Sequence, residues 1–146
     1  MDKINTVLVV FSATSIHSKL AMRALDVAEQ NNAKLIILSV RDKNVAEKVA
    51  KMVKDQGFLG EKIVEKLKED IIKDRNEVIS KRLDMLGNEA EKRGIVFETI
   101  RVKGDFVGNV IEAVNKYGVD VLLLDDIGKK IDEIKENISC DLIRLS

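Results

Sequence analysis

Three short apolar, β-prone runs constrain this chain more than anything else in it: Val7–Phe11 (Val-Leu-Val-Val-Phe), Leu35–Val40 (Leu-Ile-Ile-Leu-Ser-Val) and Val119–Leu124. Runs with no polar face belong to strands covered on both sides, as in parallel sheets. Helical patterns lie between them. Ser12-Ala13-Thr14-Ser15 supplies N-cap candidates, and Leu20, Ala21, Ala24, Leu25 and Ala28 then recur at helical spacing up to Asn31-Asn32. Ile95–Val102 alternates only partly, which suits an edge strand. Gly104-Asp105 opens a helix with Val107, Ile111 and Val114 on one side, and Gly118 ends it. Asp125–Gly128 turns the chain into a short helix, Lys129–Ile138, with Ile131, Ile134 and Ile138 in its stripe. Cys140–Leu145 is the last strand. Strands alternating with helices predict an α/β fold: one domain over residues 1–146, built on a doubly wound five-stranded parallel sheet. Ligands of such sheets sit at the carboxyl ends of the strands. Ser12–Ser15, Val40-Arg41, Lys103-Gly104 and Asp125–Gly128 are in line for that crevice.

Residues 43–94 have a different texture, charged and without a strand-like run. Val45, Val49 and Val53 recur every four residues, and Gly57 and Gly60 break the pattern. Ile63, Leu67 and Ile71 begin a second stripe, which Ile79, Leu83, Leu86 and Ala90 continue to Gly94. The mixed charges, often at i, i+4 spacing, read as the solvated face of an amphipathic helix pair inserted between strands two and three. A partner-binding helical arm is the alternative.

Composition excludes several functions. Lys and Arg number 25 against 25 Asp and Glu. A nucleic-acid binder needs a basic excess to displace counterions from phosphates. At 3% aromatic residues there is little to build base-stacking platforms. One cysteine makes neither an internal disulfide nor a multi-thiolate metal site. Met1–Asn5 has no basic run leading into an apolar stretch, and no apolar run approaches a bilayer span. The expectation is a cytoplasmic protein with neither membrane nor nucleic-acid partner.

The order of these elements resembles the universal stress protein family. Ile4–Ser15 looks like that family's opening strand and loop. Ala24-Leu25, Val27-Ala28, Ala33, Leu35 and Val40 follow its first helix and second strand. Val102-Lys103-Gly104-Asp105 with Ile111, the strand Val119–Leu124 with Asp120, and Cys140-Asp141-Leu142-Ile143 follow its second half. The resemblance implies a strand order of 3-2-1-4-5 and a homodimer paired through the last strand, by Cys140, Leu142, Ile143 and Leu145. The family's ATP binders carry an aspartate after strand one and the loop G-x2-G-x9-G-S/T after strand four. Glycines there let backbone N–H groups close on phosphate oxygens. Here Ser12 stands at the aspartate position and Asp125 at the first glycine. Gly128 fits the second glycine, Ile138 stands at the third, and Ser139 fits the hydroxyl position but touches the last strand directly. Gly128 therefore reads as the residue before the last helix, with the phosphate loop largely deleted. Asp125 and Asp126 would add repulsion toward phosphate. Val10 and Asp141 occupy places where the family commonly has proline, which this chain lacks altogether.

Each remaining candidate has a plain reading beside a functional one. Ser12, Thr14 and Ser15 could hold an anion at a helix start, or one of them simply caps it. Asp125-Asp126 could hold a divalent cation with water, or Asp126 caps the last helix while Asp125 pairs with a lysine such as Lys129. No metal site is assigned. His17 has hydroxyls near it in sequence and no acid, so it reads as an exposed helix residue. Cys140 reads as structural. A phosphoacceptor receiver domain is rejected because its acids after strand one are absent. No G-x-G-x-x-G, Walker or G-x-S-x-G motif occurs.

The leading expectation is a non-catalytic, universal-stress-type regulatory or stress-response module with no cofactor. The second is an adenine-nucleotide-binding protein or weak ATPase with a remodelled phosphate site, drawing on Ser12, Thr14, Val40, Gly104 and Gly128. The third is an adaptor that docks a protein partner on the 43–94 helices.

Overall fold

The computed structural model describes residues 3–12, 18–41, 61–125 and 129–145. Strands β1 (Thr6–Ser12), β2 (Lys34–Arg41), β3 (Phe97–Lys103), β4 (Val121–Asp125) and β5 (Asp141–Leu145) alternate with helices. The helices are α1 (Ser18–Asn31), α2 (Glu61–Lys92), α3 (Phe106–Tyr117) and α4 (Lys129–Glu136). The strands form one sheet in the order β3-β2-β1-β4-β5, with every neighbouring pair parallel. This is the expected doubly wound arrangement.

The apolar runs bury both faces of the sheet, as their composition requires. Val7, Val9 and Phe11 of β1 join Leu35, Ile37 and Leu123 in a core under α1 and α2. The alternate residues Leu8, Val10, Ile36, Leu38, Val40, Leu122 and Leu124 meet α3 and α4 in a second core. Each fully buried Val, Leu or Ile stabilises by about 1.5–3 kcal/mol relative to exposure. Val10 of β1 pairs with Leu38 of β2, and the Asp141 N–H donates to the Asp120 carbonyl at 3.2 Å. A proline at Asp141 would remove that donor.

The α1 stripe is as expected, with Val27 added. In α3 the buried residues are Val110, Ala113 and Val114, flanked by half-buried Val107, Phe106 and Tyr117. Ile111, expected in that stripe, lies beside it. Of the expected helix pair, the Val45–Val53 member lies outside the described residues. The other is a single 32-residue helix, α2. Its Ile79, Leu83, Leu86 and Ala90 are buried in the first core beside Phe97. The C-terminal half of α2 is therefore part of the core rather than a projecting arm.

Three helix-to-strand junctions close in the same way, and this moves the strand boundaries. Asn32, Gly94 and Gly118 have φ of 50°, 71° and 59°. The next residue reaches back into the last turn: Ala33 N to Ala28 O at 2.9 Å, Ile95 N to Ala90 O at 2.9 Å, and Val119 N to Val114 O at 3.2 Å. This left-handed cap satisfies the orphan carbonyls and buries the apolar residue that follows it. Ile95 and Val119, expected as strand residues, belong to these caps, so β3 starts at Phe97 and β4 at Val121. At the other boundary, α4 stops at Glu136 rather than Ile138. Asn137 closes it, donating from its backbone to Ile134 O at 3.1 Å and from its amide to Glu133 O at 2.8 Å. No helix of the described residues is long and apolar enough to cross a membrane.

Candidate functional site

The strand order reverses between β1 and β4, and the ladder there is short. It pairs only Val7, Leu8 and Val9 with Val121, Leu122 and Leu123. On the other side of β1, pairing with β2 continues to Ser12↔Val40. The carboxyl ends of β1 and β4 thus part beyond Val9 and Leu123. That opening is the switch-point crevice in which sheets of this kind hold ligands.

Three expected site residues fall along neighbouring strand ends. Ser12 is half-buried at the end of β1. Val40, 1% exposed, is its register partner on β2. Gly104 follows β3, and its N–H donates to the Arg41 carbonyl at 2.9 Å, which extends the sheet edge by one bond. Its φ of 138° is one that side-chain-bearing residues rarely adopt. Asp105 then caps α3, accepting from Gly108 N–H at 2.8 Å. Thr14 and Gly128 lie outside the described residues, as do Ser15, His17 and Asp126. Asp125 ends β4 opposite Leu145.

Helix α4 begins four residues after β4 ends. Only residues 126–128 separate β4 from α4, and only 137–140 separate α4 from β5. Ile131 and Ile134 of α4 are fully buried in the second core. Ile138, at the position of the family loop's third glycine, is half-buried against that core. Ile131 and Ile134 anchor the helix to the sheet, and Ile138 packs just beyond its end.

Cys140, expected to be a buried structural cysteine, is half-buried before β5. Burial pushes its thiol up, and the charges of Asp141 and Asp120 add to that shift. No group of three or more His, Cys, Asp or Glu that could hold a metal ion occurs among the described residues. Arg41 and Lys103, expected at the crevice, instead line a separate cleft with Ser39, Asn76 and Arg101, which sequence reasoning misses. The two-residue spacing of Ser39 with Arg41, and of Arg101 with Lys103, is the signal that could have joined them to one face.

No family model matches the sequence, and no curated protein matches it. Solved structures do. A universal stress protein from Lactobacillus plantarum superposes with a TM-score of 0.67 at 12% identity, covering 100% of both chains. A universal stress protein in complex with cAMP gives 0.65 at 17% identity, covering 99% of this chain and 98% of that one. The universal stress protein from Archaeoglobus fulgidus in complex with dAMP gives 0.59 at 11% identity, over 99% and 100%. The fold of this chain is the universal stress protein fold.

Proposed function

We propose that this chain is a universal-stress-type regulatory module, cytoplasmic, homodimeric and non-catalytic, that does not hold ATP through a glycine loop. Residues 1–146 act as its single domain. The observation that carries the reading is α4. A helix anchored by Ile131 and Ile134 fills the segment after β4 where the family's ATP binders have their phosphate loop. Beyond the first turn of α4, the backbone donors are bonded within the helix and are not free to cradle a phosphate chain.

Dimerisation through β5 is supported by the shortness of that edge strand, five residues, and by its apolar side chains. The β3 edge carries exposed Glu98, Arg101 and Lys103, which discourage strand addition. The β5 edge offers half-buried Leu142 and Ile143 between exposed Asp141 and Arg144. Sedimentation at micromolar concentration tests this part, with a dimer expected and a monomer contradicting it. A strain lacking the protein tests the stress role through survival of heat, starvation or oxidant. Wild-type survival under all three would remove it.

A second reading has its own support. Ser12 and Val40 meet at the open end of β1 and β2, and two solved relatives in fold hold the monophosphates cAMP and dAMP. An adenine mononucleotide needs no triphosphate loop. Calorimetry with AMP and cAMP tests this reading: saturable heat lost in Val40→Trp supports it, and no heat with either nucleotide ends it. For a protein partner on the 43–94 segment, the outward side of α2 offers Val78 and Met85, 48% and 70% exposed.

A further inference from the structure

Ser39 is the one buried polar residue among the described residues, 3% exposed within an otherwise apolar run of β2. It lines a cleft of about 300 Å³ together with Arg41, Asn76, Arg101, Val102 and Lys103. The cleft lies across β2, β3 and α2. Ser39 and Arg41 share the strand phase of Leu35 and Ile37, whose side chains enter the core under α1 and α2. Arg101 and Lys103 share the phase of Phe97, which packs on that same core. Val40 has the opposite phase and enters the core under α3 and α4. The cleft and the Ser12–Val40 crevice are therefore on opposite faces of the sheet.

The register concentrates positive charge here. Ser39 pairs with Arg101, and Arg41 with Lys103, so two cations stand directly side by side on adjacent strands. Like charges in that relation are unfavourable unless an anion sits between them. Among the described residues, none of Arg41, Arg101 and Lys103 forms an ion pair. The other end of the same strand pair is built differently, with Lys34 Nζ 3.3 Å from Glu98 Oε2. In a chain of zero net charge, three cations around one hollow are not a consequence of basic composition. Arg101 is also held in place, its Nη1 donating to Ser80 Oγ at 2.7 Å. A guanidinium fixed in this way, next to a second arginine, an ammonium and an amide, is a donor set suited to phosphate oxygens.

We propose that this cleft binds a small phosphorylated molecule, its phosphate held by Arg41, Arg101 and Lys103 with Asn76 as a further donor. The volume fits a compact ligand, at the lower end of small-molecule sites. The site is independent of the adenine crevice, so it stands whether or not the β1 end takes a nucleotide.

Titration calorimetry on the full chain, with inorganic phosphate, pyrophosphate, ribose 5-phosphate and a short single-stranded oligonucleotide, tests it. Saturable one-site binding of at least one small anion is expected, about tenfold or more weaker in Arg41→Gln/Lys103→Gln. A preference for ribose 5-phosphate identifies an organic ester as the ligand class, and a preference for pyrophosphate an inorganic anion or diphosphate. Amide chemical-shift changes in the wild-type protein, centred on Ser39, Arg41, Val102 and Lys103, are the second readout and need no variant to fold. Three results would overturn the proposal: no saturable small-anion binding at millimolar concentration, binding unchanged in a folded double variant, or shift changes centred elsewhere. Binding of the oligonucleotide alone would overturn it too.

Discussion

Asp120 holds Thr6 by both of its peptide groups. The Asp120 carboxylate accepts the Thr6 N–H at 3.0 Å, and the Asp120 N–H donates to the Thr6 carbonyl at 2.9 Å. The same carboxylate accepts the Asn5 N–H at 2.8 Å, and the Asp120 carbonyl accepts from Asp141. One residue before β4 thus pins the starts of β1 and β5, at the sheet end opposite the crevice. Hydrogen bonds to a charged acceptor contribute about 1.5–3 kcal/mol each when partly shielded. Asp120→Ala is therefore expected to lower unfolding free energy by about 2 kcal/mol or more in urea titrations, and Asp120→Asn by less. An Ala variant as stable as wild type contradicts this role.

The left-handed cap at Gly118 makes a backbone prediction. A Cβ added there meets nothing within 4 Å, so Gly118→Ala costs only the φ of 59°. About 1 kcal/mol is expected, with Gly118→Asn closer to wild type. Gly87 is the opposite case, since its added Cβ would lie 3.0 Å from the Phe97 ring. Gly87→Ala is expected to be rescued in part by Phe97→Leu, and Gly118→Ala to be indifferent to it. Thermal melts of the two double variants check the contrast.

Cys140 gives a pH dependence. Its thiol is raised above the ordinary value of 9.0, so folding favours the neutral form. The stability this confers is complete below about pH 9 and is lost as pH rises through the raised folded value, because the unfolded chain then holds fewer protons. Urea titrations between about pH 7 and pH 10.5 should show a decline that is shallower in Cys140→Ala. An identical slope in both proteins contradicts it.

The edge assignment predicts the effect of a charge on β5. With the proposed pairing through β5, Ile143→Lys is expected to give a monomer that still melts cooperatively, because a lysine on an edge strand opposes strand addition. Sedimentation reads the mass, and a variant that remains a dimer contradicts pairing through β5.

Much of the fold was legible in the sequence because burial on two faces leaves a simple mark. Val7–Phe11 and Leu35–Val40 are strands to within a residue at each end, and Leu20, Ala24, Leu25 and Ala28 lie on the buried side of α1. Two misjudged strand boundaries share a cause. Ile95 and Val119 are apolar because they close helix caps, and local pattern cannot tell that use from a strand. Asp120 reads as a strand residue because its partners, Asn5 and Thr6, are distant in sequence. The cleft was invisible for the same reason. The pairing of Arg41 with Lys103 depends on a register set across the whole 43–94 segment. Of the crevice residues, Ser12, Val40 and Gly104 do lie at adjacent strand ends, as the topology required, whereas Thr14 and Gly128 lie outside the described residues.

The proposed function rests on α4 standing where a triphosphate-binding glycine loop would run. Thermal melts with millimolar magnesium-ATP and with AMP test it most directly, run on the wild type and on Arg41→Gln/Lys103→Gln so that the basic cleft does not contribute. A ligand at about 100 times its Kd stabilises by about 2.7 kcal/mol, several degrees for a chain of this size. ATP is expected to raise the melting temperature of the double variant no more than AMP does. A shift several degrees larger with ATP would contradict it.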